Sequence, residues 1–373
     1  MKLEILKEPF RKAINSCEKI TRKTSALPVL QNVLIKAEGN FTQFTTTNLE
    51  TTIIWNVLSK VNKKGQAAVP ATFLANVVNL VQDEKIGLEE KEQNLLLSAK
   101  DQETQIQGQD PNEFPIIPKI NRNESWDIDI IKIITALAQV VDVPAISQIR
   151  PEISGVYFSV KAGQLKLAAT DSFRLAEKTI KLEKDTAPEQ SFILPQAAAK
   201  EIITVFSQEQ GNISVFYNPN QILFETASPE PSQSQISVLS RLIEGNYPNY
   251  QEIIPKKFVN TTIFNKDDLA GEIKKAGLFA SRSYEVQLKI LPKEGKVKFF
   301  SQNAQAGKSE SVLACKSEGE NVEVAFNYRF LLDGLNSMKS SEVILEISVN
   351  EGPGLLKPVG DNSFVYILMP IKA

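Results

Sequence analysis

Three landmarks recur in the same order in each third of the chain, which has 373 residues. They are a glycine at the tip of a strand–turn–strand pattern, a polar turn that ends this hairpin, and a helix start. In chain order their copies are Gly39, Gly163 and Gly295; Asn48, Asp171 and Asn303; and Pro70, Pro195 and Asn327. Between the first and second copies the three landmarks are 124, 123 and 125 residues apart, and between the second and third copies each is 132 residues apart. A period this long suits a whole domain, so the chain is predicted to be a triplicated domain.

Two proline-rich joints predict where the copies meet. They run from Pro111 to Asn123 and from Tyr247 to Phe258. Proline suits a linker because it lacks the N–H group that a helix interior or a sheet ladder requires. We therefore predict domains at residues 1–119, 124–253 and 254–373.

Each copy opens with a pattern typical of an amphipathic helix, because apolar residues recur at helical spacing. These residues are Phe10, Ile14 and Cys17; Ile130, Ile134, Leu137 and Val141; and Leu269, Ile273 and Ala276. Short β-rich runs separated by Gly, Asn and Pro turns fill the rest of each copy. Each domain should hold two helices and roughly eight strands, which is an α+β class. The helices are expected on one side of strands whose other side faces solvent.

The composition excludes several classes of function. The chain has no histidine, which removes the commonest general base and zinc ligand. Its two cysteines, Cys17 and Cys315, form no disulfide framework or metal motif. No apolar run reaches the roughly 20 residues of a membrane span, and charges interrupt the apolar N-terminal stretch, so no signal peptide or membrane partner is expected. The composition therefore predicts a cytoplasmic location and counts against catalysis.

The segment from Leu167 to Ile180 sets Thr170, Asp171 and Arg174 within five residues. This trio is compatible with an active site, with a polar turn, or with the rim of a docking pocket. A hydrolase or transferase site is disfavoured because this chain has no histidine, no paired carboxylate motif and no phosphate-binding glycine loop. Asp171 matches Asn48 and Asn303 in the other copies, which favours a structural turn. Only the second copy continues as "SFRLA", which makes Thr170, Arg174 and Leu175 candidates for docking.

The predicted helices carry cations, and two interpretations remain open. Their exposed faces include Lys12, Lys19, Arg22 and Lys23; Lys132 and Lys200; and Lys274, Lys275, Arg282, Arg329 and Lys339. These side chains could simply be solvated. Alternatively, because the helices starting at Pro70 and Pro195 open without acids, they could approach phosphate groups despite a net charge of −2.

Motifs across essentially the whole chain resemble the bacterial sliding clamp family, the β subunit of the DNA polymerase III holoenzyme. They are "LPVLQNVLI" (27–35), "AVPATFL" (68–74), "QIRPEISGVYF" (148–158), "AATDSFRLA" (168–176), "EGNYPNYQEIIP" (244–255), "FNYRFLLDGLNSMK" (326–339) and "VYILMPIKA" (365–373). The resemblance implies a head-to-tail homodimer, a ring of six domains whose twelve helices surround duplex DNA. It implies no catalytic, cofactor-binding or metal-binding residue. A monomeric three-domain scaffold is the alternative, and the mass in solution distinguishes the two.

The resemblance also implies a hydrophobic pocket between the second and third domains. In this family the pocket binds short peptide motifs of the replicative polymerase, the clamp loader and repair proteins. The matching positions are Ile153, Thr170, Ser172, Phe173, Arg174, Leu175, Pro248, Ile253, Asn327, Phe330, Ile367, Leu368, Met369, Pro370 and Ile371. Leu175, Ile253, Ile367 and Met369 would form the apolar floor, and Thr170 and Arg174 would hydrogen-bond the peptide at the rim.

Further positions follow from the same resemblance. Contacts to DNA are expected from Arg22, Lys23, Gln148, Arg150 and Lys200. The dimer contact is expected to join Gln105, Ile106 and Gln107 to Leu278 and Phe279, although Gly277–Tyr284 also fits a helix end. The chain departs from the family at Ser172 and Phe173, where Gly-His is frequent, and at Glu252, where a basic residue is common.

Overall fold

The computed structural model describes residues 1–21, 27–122, 125–147, 149–182, 189–226, 235–349 and 352–371. Within these ranges the chain forms six α-helices: α1 (Lys7–Thr21), α2 (Ala71–Leu80), α3 (Ile130–Val140), α4 (Gln196–Phe206), α5 (Lys266–Gly277) and α6 (Tyr328–Asn336). Each predicted domain therefore contains two helices, as expected.

The strands fall into three similar sets. The first copy has β1 (Lys2–Leu6), β2 (Asn32–Glu38), β3 (Phe41–Thr47), β4 (Thr51–Lys63), β5 (Gly65–Pro70), β6 (Lys85–Lys91), β7 (Asn94–Ala99) and β8 (Gln102–Ile106). The second has β9 (Ser125–Asp129), β10 (Gly155–Lys161), β11 (Gln164–Thr170), β12 (Arg174–Lys181), β13 (Gln190–Pro195), β14 (Asn212–Asn218), β15 (Gln221–Thr226) and β16 (Gln235–Arg241). The third has β17 (Phe258–Asn265), β18 (Glu285–Leu291), β19 (Lys296–Asn303), β20 (Gly307–Ala314), β21 (Lys316–Gly319), β22 (Val322–Asn327), β23 (Glu342–Ser348), β24 (Gly354–Pro358) and β25 (Phe364–Leu368). The prediction of an α+β class with roughly eight strands per domain is confirmed.

The sequence landmarks lie where the pattern predicted. Gly39, Gly163 and Gly295 occupy hairpin turns with φ of 62°, 68° and 60°, a left-handed conformation that costs glycine little. Pro70 and Pro195 immediately precede α2 and α4. Asn327 precedes α6, and its side-chain Oδ1 accepts a hydrogen bond from the Arg329 N–H as an N-cap.

The opening helices of the first and third copies, α1 and α5, pack their apolar faces against a sheet. In α1, Phe10, Ile14 and Cys17 are fully buried, and the Phe10 ring stacks on Phe44 of β3 with centroids 5.0 Å apart. Burying one such phenylalanine contributes about 2 kcal/mol to folding. In α5, Leu269, Ile273 and Ala276 are buried in the same way.

The chain divides into two compact units rather than three. Unit 1 comprises Met1–Ile134 and Lys200–Leu242, and unit 2 comprises Thr135–Ala199 and Ile243–Ala373. The reason is that strands of neighbouring copies pair. In unit 1, β4 pairs antiparallel with β16, and in unit 2, β12 pairs antiparallel with β25.

Three sheets result from this pairing. Unit 1 holds a 12-stranded sheet, and unit 2 holds a nine-stranded and a four-stranded sheet. Among the described strands, β8 ends the 12-stranded sheet and β20 ends the four-stranded sheet. None of the helices in the described ranges has both the length and the apolar character that a membrane span would need.

Candidate functional site

The turn containing Asp171 is built by the same hydrogen bonds in all three copies. Asp171 Oδ1 accepts from the backbone N–H groups two and three residues later, at 2.9 and 3.0 Å. Asn48 does so at 3.0 and 2.7 Å, and Asn303 does so at 2.9 and 3.3 Å. A short Asp or Asn side chain suits this turn because it replaces a backbone acceptor. Asp171 therefore has a structural role in unit 2.

Thr170 completes the turn instead of standing free at its rim. Its Oγ1 donates to the carbonyl oxygen of Arg174 at 2.7 Å and accepts from the Ser172 N–H at 3.1 Å. Thr47 makes the equivalent bonds in the first copy, at 3.2 and 3.0 Å. The hydroxyl group that the sequence suggested for peptide binding is thus already used within the turn.

The Arg174 guanidinium lies in a network of acceptors within unit 2. Nε donates to Asp171 Oδ2 at 2.9 Å, Nη1 donates to Asp333 Oδ2 and the Tyr366 hydroxyl, and Nη2 donates to the Asp142 carbonyl at 3.0 Å. The Phe330 ring lies 4.5 Å from the guanidinium carbon, within cation–π range. Burial alone would lower the pKa of Arg174, but Tyr366, Asp333 and Asp171 together raise it above the ordinary value. Arg174 links the second-copy turn to α6 and β25.

An apolar cluster lies beside this turn. Leu175 of β12 pairs with Ile367 of β25, and both pack with Ala168 and Tyr250 in a buried group. Tyr157, Tyr247 and Ile254 pack against the group from its edge. Of the four residues predicted as a floor, Leu175 and Ile367 are buried, whereas Ile253 and Met369 are 47% and 40% exposed.

Three tyrosines of the cluster were not identified from the sequence. Tyr157 stacks on Tyr247 with centroids 4.8 Å apart, and Tyr250 meets both rings edge-on. The Tyr250 hydroxyl donates to Glu177 Oε2 at 2.6 Å. Burial, together with the neighbouring Glu177 carboxylate, raises the pKa of Tyr250. The sequence feature that could have identified them is the pair of tyrosines inside the proline-rich joint, since aromatic residues are unusual in a free linker.

The C-terminal segment is held against the turn by backbone hydrogen bonds. The Met369 N–H donates to the Phe173 carbonyl at 2.9 Å, and the Ile371 N–H donates to the Ala325 carbonyl at 2.8 Å. Met369 thereby extends the pairing of β25 with β12 by one residue. Pro370 and Ile371 are half-buried, and Phe173 is 64% exposed.

The remaining predicted pocket residues have mixed surroundings. Ile153 and Leu368 are buried, Pro248 is half-buried, and Asn327 is occupied as the cap of α6. Ser172 is exposed at φ +77°, a left-handed conformation that only glycine adopts without strain. Its counterpart in the first copy, Leu49, has φ +75°. The glycine that the family often places here would therefore fit the backbone better.

Two of the five residues predicted to contact DNA can be located. Arg150 is half-exposed, with Nε 3.1 Å from Glu152 Oε1 and Nη1 3.5 Å from Ser172 Oγ. A backbone hydrogen bond and the Arg150 cation lower the pKa of Glu152. Lys200 is exposed on α4. Arg22, Lys23 and Gln148 lie outside the described residues.

A second surface surrounds Gln105, Ile106 and Gln107 in unit 1. These residues line an open cavity of about 600 Å³ together with Pro70, Phe73 and Val77. Phe73 is 64% exposed, which is unusual for so large an apolar side chain. In unit 2, Leu278 follows α5 and is 77% exposed, while Phe279 is half-buried. Gly277–Tyr284 is thus a helix end that also presents an apolar side chain.

The comparisons with known proteins agree with this architecture. Three family profiles match in succession: the N-terminal domain of the DNA polymerase III beta subunit over residues 1–118, its central domain over 129–249 and its C-terminal domain over 251–372. The beta sliding clamp of Staphylococcus epidermidis is 25% identical, with 100% of this chain and 99% of the relative covered.

Solved structures show the same fold. The DNA polymerase III beta chain of Streptococcus pneumoniae TIGR4 superposes with a TM-score of 0.92 at 25% identity, covering 100% of both chains. A sliding clamp from Pseudomonas aeruginosa bound to griselimycin superposes with a TM-score of 0.92 at 21% identity, again covering 100% of both chains.

Three tandem domains joined by shared sheets, with an apolar cluster at one of the joins, are the architecture of a DNA sliding clamp. The chain belongs to the DNA polymerase III beta subunit family. It is therefore a non-catalytic processivity subunit, which as a homodimeric ring encircles duplex DNA and binds polymerase and repair proteins.

Proposed function

We propose that this clamp tethers its partners through the apolar surface where β12 and β25 pair, and that it acts in the cytoplasm with domains at 1–119, 124–253 and 254–373. The observation that carries the proposal is the pairing of Leu175 with Ile367 in one buried cluster. Beside this cluster lie three exposed apolar side chains, Phe173, Ile253 and Met369. A buried floor with exposed apolar neighbours suits a short peptide that inserts one or two apolar side chains.

The fifteen pocket positions then have different roles. Leu175 and Ile367 form the floor, whereas Phe173, Ile253 and Met369 contact the peptide directly. Arg174 and Thr170 act through the turn that they stabilise, because their donors already have partners within unit 2. Methionine at the rim suits a surface that must accept several partner sequences.

For DNA, we propose contacts from Arg22, Lys23, Gln148, Arg150 and Lys200. A ring gains processivity from encircling the duplex, so its direct affinity for phosphate can stay low. This is compatible with a net charge of −2. Arg150 would have to exchange Glu152 for a phosphate group, which makes its contribution depend on salt.

For the dimer, the internal repeat suggests how the ring closes. The strand after the shared turn pairs with the last strand of the next copy: β4 with β16, and β12 with β25. The corresponding strand of the third copy is β20, and the last strand of the first copy is β8. Both are sheet ends among the described strands. We propose that β20 of one protomer pairs antiparallel with β8 of its partner, which is a heterologous contact.

The apolar side chains near these two strands complement each other. Leu278 is exposed after α5, and Phe279 lies against Gly307 at the start of β20. The cavity beside β8, with Phe73 and Val77 on its wall, is large enough to receive them. Burial of Leu278 in this cavity would contribute about 2 kcal/mol to association.

The mass in solution and retention on DNA test the function. We expect twice the monomer mass at micromolar concentration, and retention on nicked circular plasmid after loading by a clamp loader. Linearising the plasmid is the matched control, because a topologically held ring slides off a free end. A strict monomer with no retention would overturn the proposal.

A further inference from the structure

Charged side chains adjoin the exposed apolar residues of the peptide surface in unit 2. Glu252 directly precedes Ile253 in a turn of 3₁₀ helix, Tyr250–Ile253, whose first residue belongs to the buried cluster. Arg174 directly follows Phe173 and begins β12. The net charge of the peptide surface therefore depends on which of these charged groups are already paired with an opposite charge.

In the part of the chain that the structure describes, the Glu252 carboxylate has no cationic partner. Glu252 is exposed, and its Oε1 accepts a hydrogen bond from Asn249 Nδ2 at 2.6 Å. A neutral amide offsets no charge. The next cations along the chain, Lys256 and Lys257, are exposed as well and form no ion pair with Glu252 among the described residues. An uncompensated negative charge therefore lies next to Ile253.

Arg174 does not offset this charge, because two carboxylates share its single positive charge. Its Nε lies 2.9 Å from Asp171 Oδ2, and its Nη1 forms an ion pair with Asp333 Oδ2. The Asp333 side chain is 48% exposed, whereas the Arg174 side chain is 11% exposed. Asp333 also follows the predicted pocket residue Phe330 by three residues on α6, so the two side chains share one face of the helix. This group carries one excess negative charge, and the carboxylate is its exposed part.

Arg150 is the other guanidinium beside the turn, and a carboxylate balances it. Its Nη1 donates to Ser172 Oγ at 3.5 Å, and its Nε donates to Glu152 Oε1 at 3.1 Å. The ion pair of Arg150 with Glu152 adds no net charge to the surface. Of the four carboxylates that accompany these two guanidinium groups, only those of Glu252 and Asp333 are exposed. The peptide surface thus presents excess negative charge beside its apolar side chains.

We propose that Glu252 and Asp333 select partner peptides that carry lysine or arginine beside their apolar residues. This inference rests on the peptide surface proposed above and names the class of peptide that it prefers. Complementary charges across an interface chiefly determine which partner is selected and how fast it associates. An acidic residue at the same place in a peptide would meet like charge. Because exposed ion pairs are individually weak, the expected preference for a basic over an acidic peptide is about threefold to tenfold.

Fluorescence anisotropy with three labelled peptides tests this preference. The peptides share the apolar residues of one polymerase-derived peptide and carry flanking lysines, glutamines or glutamates. We expect the lysine peptide to bind the parent protein most tightly at low ionic strength and the glutamate peptide most weakly, and we expect added salt to reduce the difference. In the double variant Glu252→Gln with Asp333→Asn, the three peptides should bind alike. Both replacements keep an oxygen acceptor for the Asn249 and Arg174 donors.

The matched control is Glu318→Gln with Glu320→Gln, at the end of the sheet where β21 lies four strands from β25. It changes the net charge equally and should retain the preference. Equal binding of the lysine and glutamate peptides by the parent protein overturns the proposal, and so does a preference that survives the double change at Glu252 and Asp333. Met369→Ala recognises failure of the proposed function separately: the peptide surface stands if this variant binds all three peptides more weakly, and both proposals fail if it binds them as the parent does.

Discussion

Arg174 donates from Nε to Asp171 Oδ2 at 2.9 Å, while the other oxygen of the same carboxyl group holds the turn that places Arg174. One carboxylate thus fixes both the backbone and the side chain of its neighbour. From that position Nη1 reaches Asp333 of α6, 159 residues further along the chain. The contact joins the second copy to the third beside the apolar cluster that we propose for peptide binding.

Replacing Asp171 separates these two roles. Asp171→Asn keeps the turn, since Asn48 and Asn303 build it elsewhere, but removes the charge beside Arg174. Asp171→Ala removes both. We expect Asp171→Ala to lower the free energy of unfolding by about 2–3 kcal/mol and Asp171→Asn by about 1 kcal/mol. Thermal unfolding measures this, and equal losses for the two variants would show that the turn bonds contribute nothing.

Ser172 offers a stabilising change. Its φ of +77° is strained for any residue with a Cβ atom, so Ser172→Gly should raise the free energy of unfolding by about 0.5–1 kcal/mol. Leu49→Gly, at φ +75°, is the matched variant in unit 1. Gly39→Ala is the reverse control, because its Cβ would meet no atom within 4 Å and only the backbone strain would change. A loss of stability in Ser172→Gly would mean that the serine side chain outweighs the strain.

The sequence predicted the repeat, the helix starts and the hairpin glycines, because these depend on residues close together in the chain. The two compact units could not be predicted, since they follow from pairing between strands such as β4 and β16 that lie far apart. The surroundings of Arg174 were missed for the same reason: Asp142, Asp333 and Tyr366 are brought to it only by the tertiary fold. The sequence suggested that Thr170 and Arg174 are free to bind a peptide, because the groups that they hydrogen-bond in the folded chain cannot be recognised from the sequence.

Cys17 should be chemically inert in the folded protein. Burial raises the pKa of its thiol from 9.0 to about 12, whereas the unfolded chain ionises near the ordinary value. The stabilisation from the neutral thiol is therefore complete below pH 9 and declines as the pH rises from 9 towards 12. We expect one thiol, Cys315, to react with a disulfide reagent at pH 8, and two after denaturation. The native Cys315→Ala variant is the control and should show no reactive thiol. Reaction of both thiols in the native parent protein, and of one thiol in this variant, would contradict the prediction.

Met369 provides a test of the peptide surface that leaves the backbone pairing intact. The hydrogen bond from the Met369 N–H to the Phe173 carbonyl is made by the main chain, so Met369→Ala removes only the exposed side chain. We expect a polymerase-derived peptide to bind about tenfold to a hundredfold more weakly, a loss of about 1.4–2.8 kcal/mol. Fluorescence anisotropy measures the affinity, and Ile116→Ala, an exposed apolar residue of unit 1, is the control. Unchanged binding would place the peptide elsewhere.

The proposed pairing of β8 with β20 makes a register prediction. In the repeat, Ile106 of β8 occupies the position of Ser240 in β16 and of Leu368 in β25. Ser240 pairs with Thr51, and Leu368 pairs with Arg174. The position in β20 that matches Thr51 and Arg174 by its hairpin register is Gly307. Ile106 should therefore lie opposite the partner protomer's copy of Gly307, and Thr104 opposite the position of Ser309. Residues directly opposite in an antiparallel pair have Cβ atoms about 4.5–5.5 Å apart, close enough for a disulfide after small adjustments.

A chain carrying Thr104→Cys and Ser309→Cys, with Cys315→Ser, should form a covalently closed dimer on mild oxidation. Gel electrophoresis without reductant measures the linked species, and the oxidised ring should stay on circular DNA after dilution. The control pairs Thr104→Cys with Lys308→Cys, because one residue of shift turns the second thiol to the opposite face of the sheet. If the control links as efficiently as the test pair, the register is wrong, and if neither links, β8 and β20 do not meet.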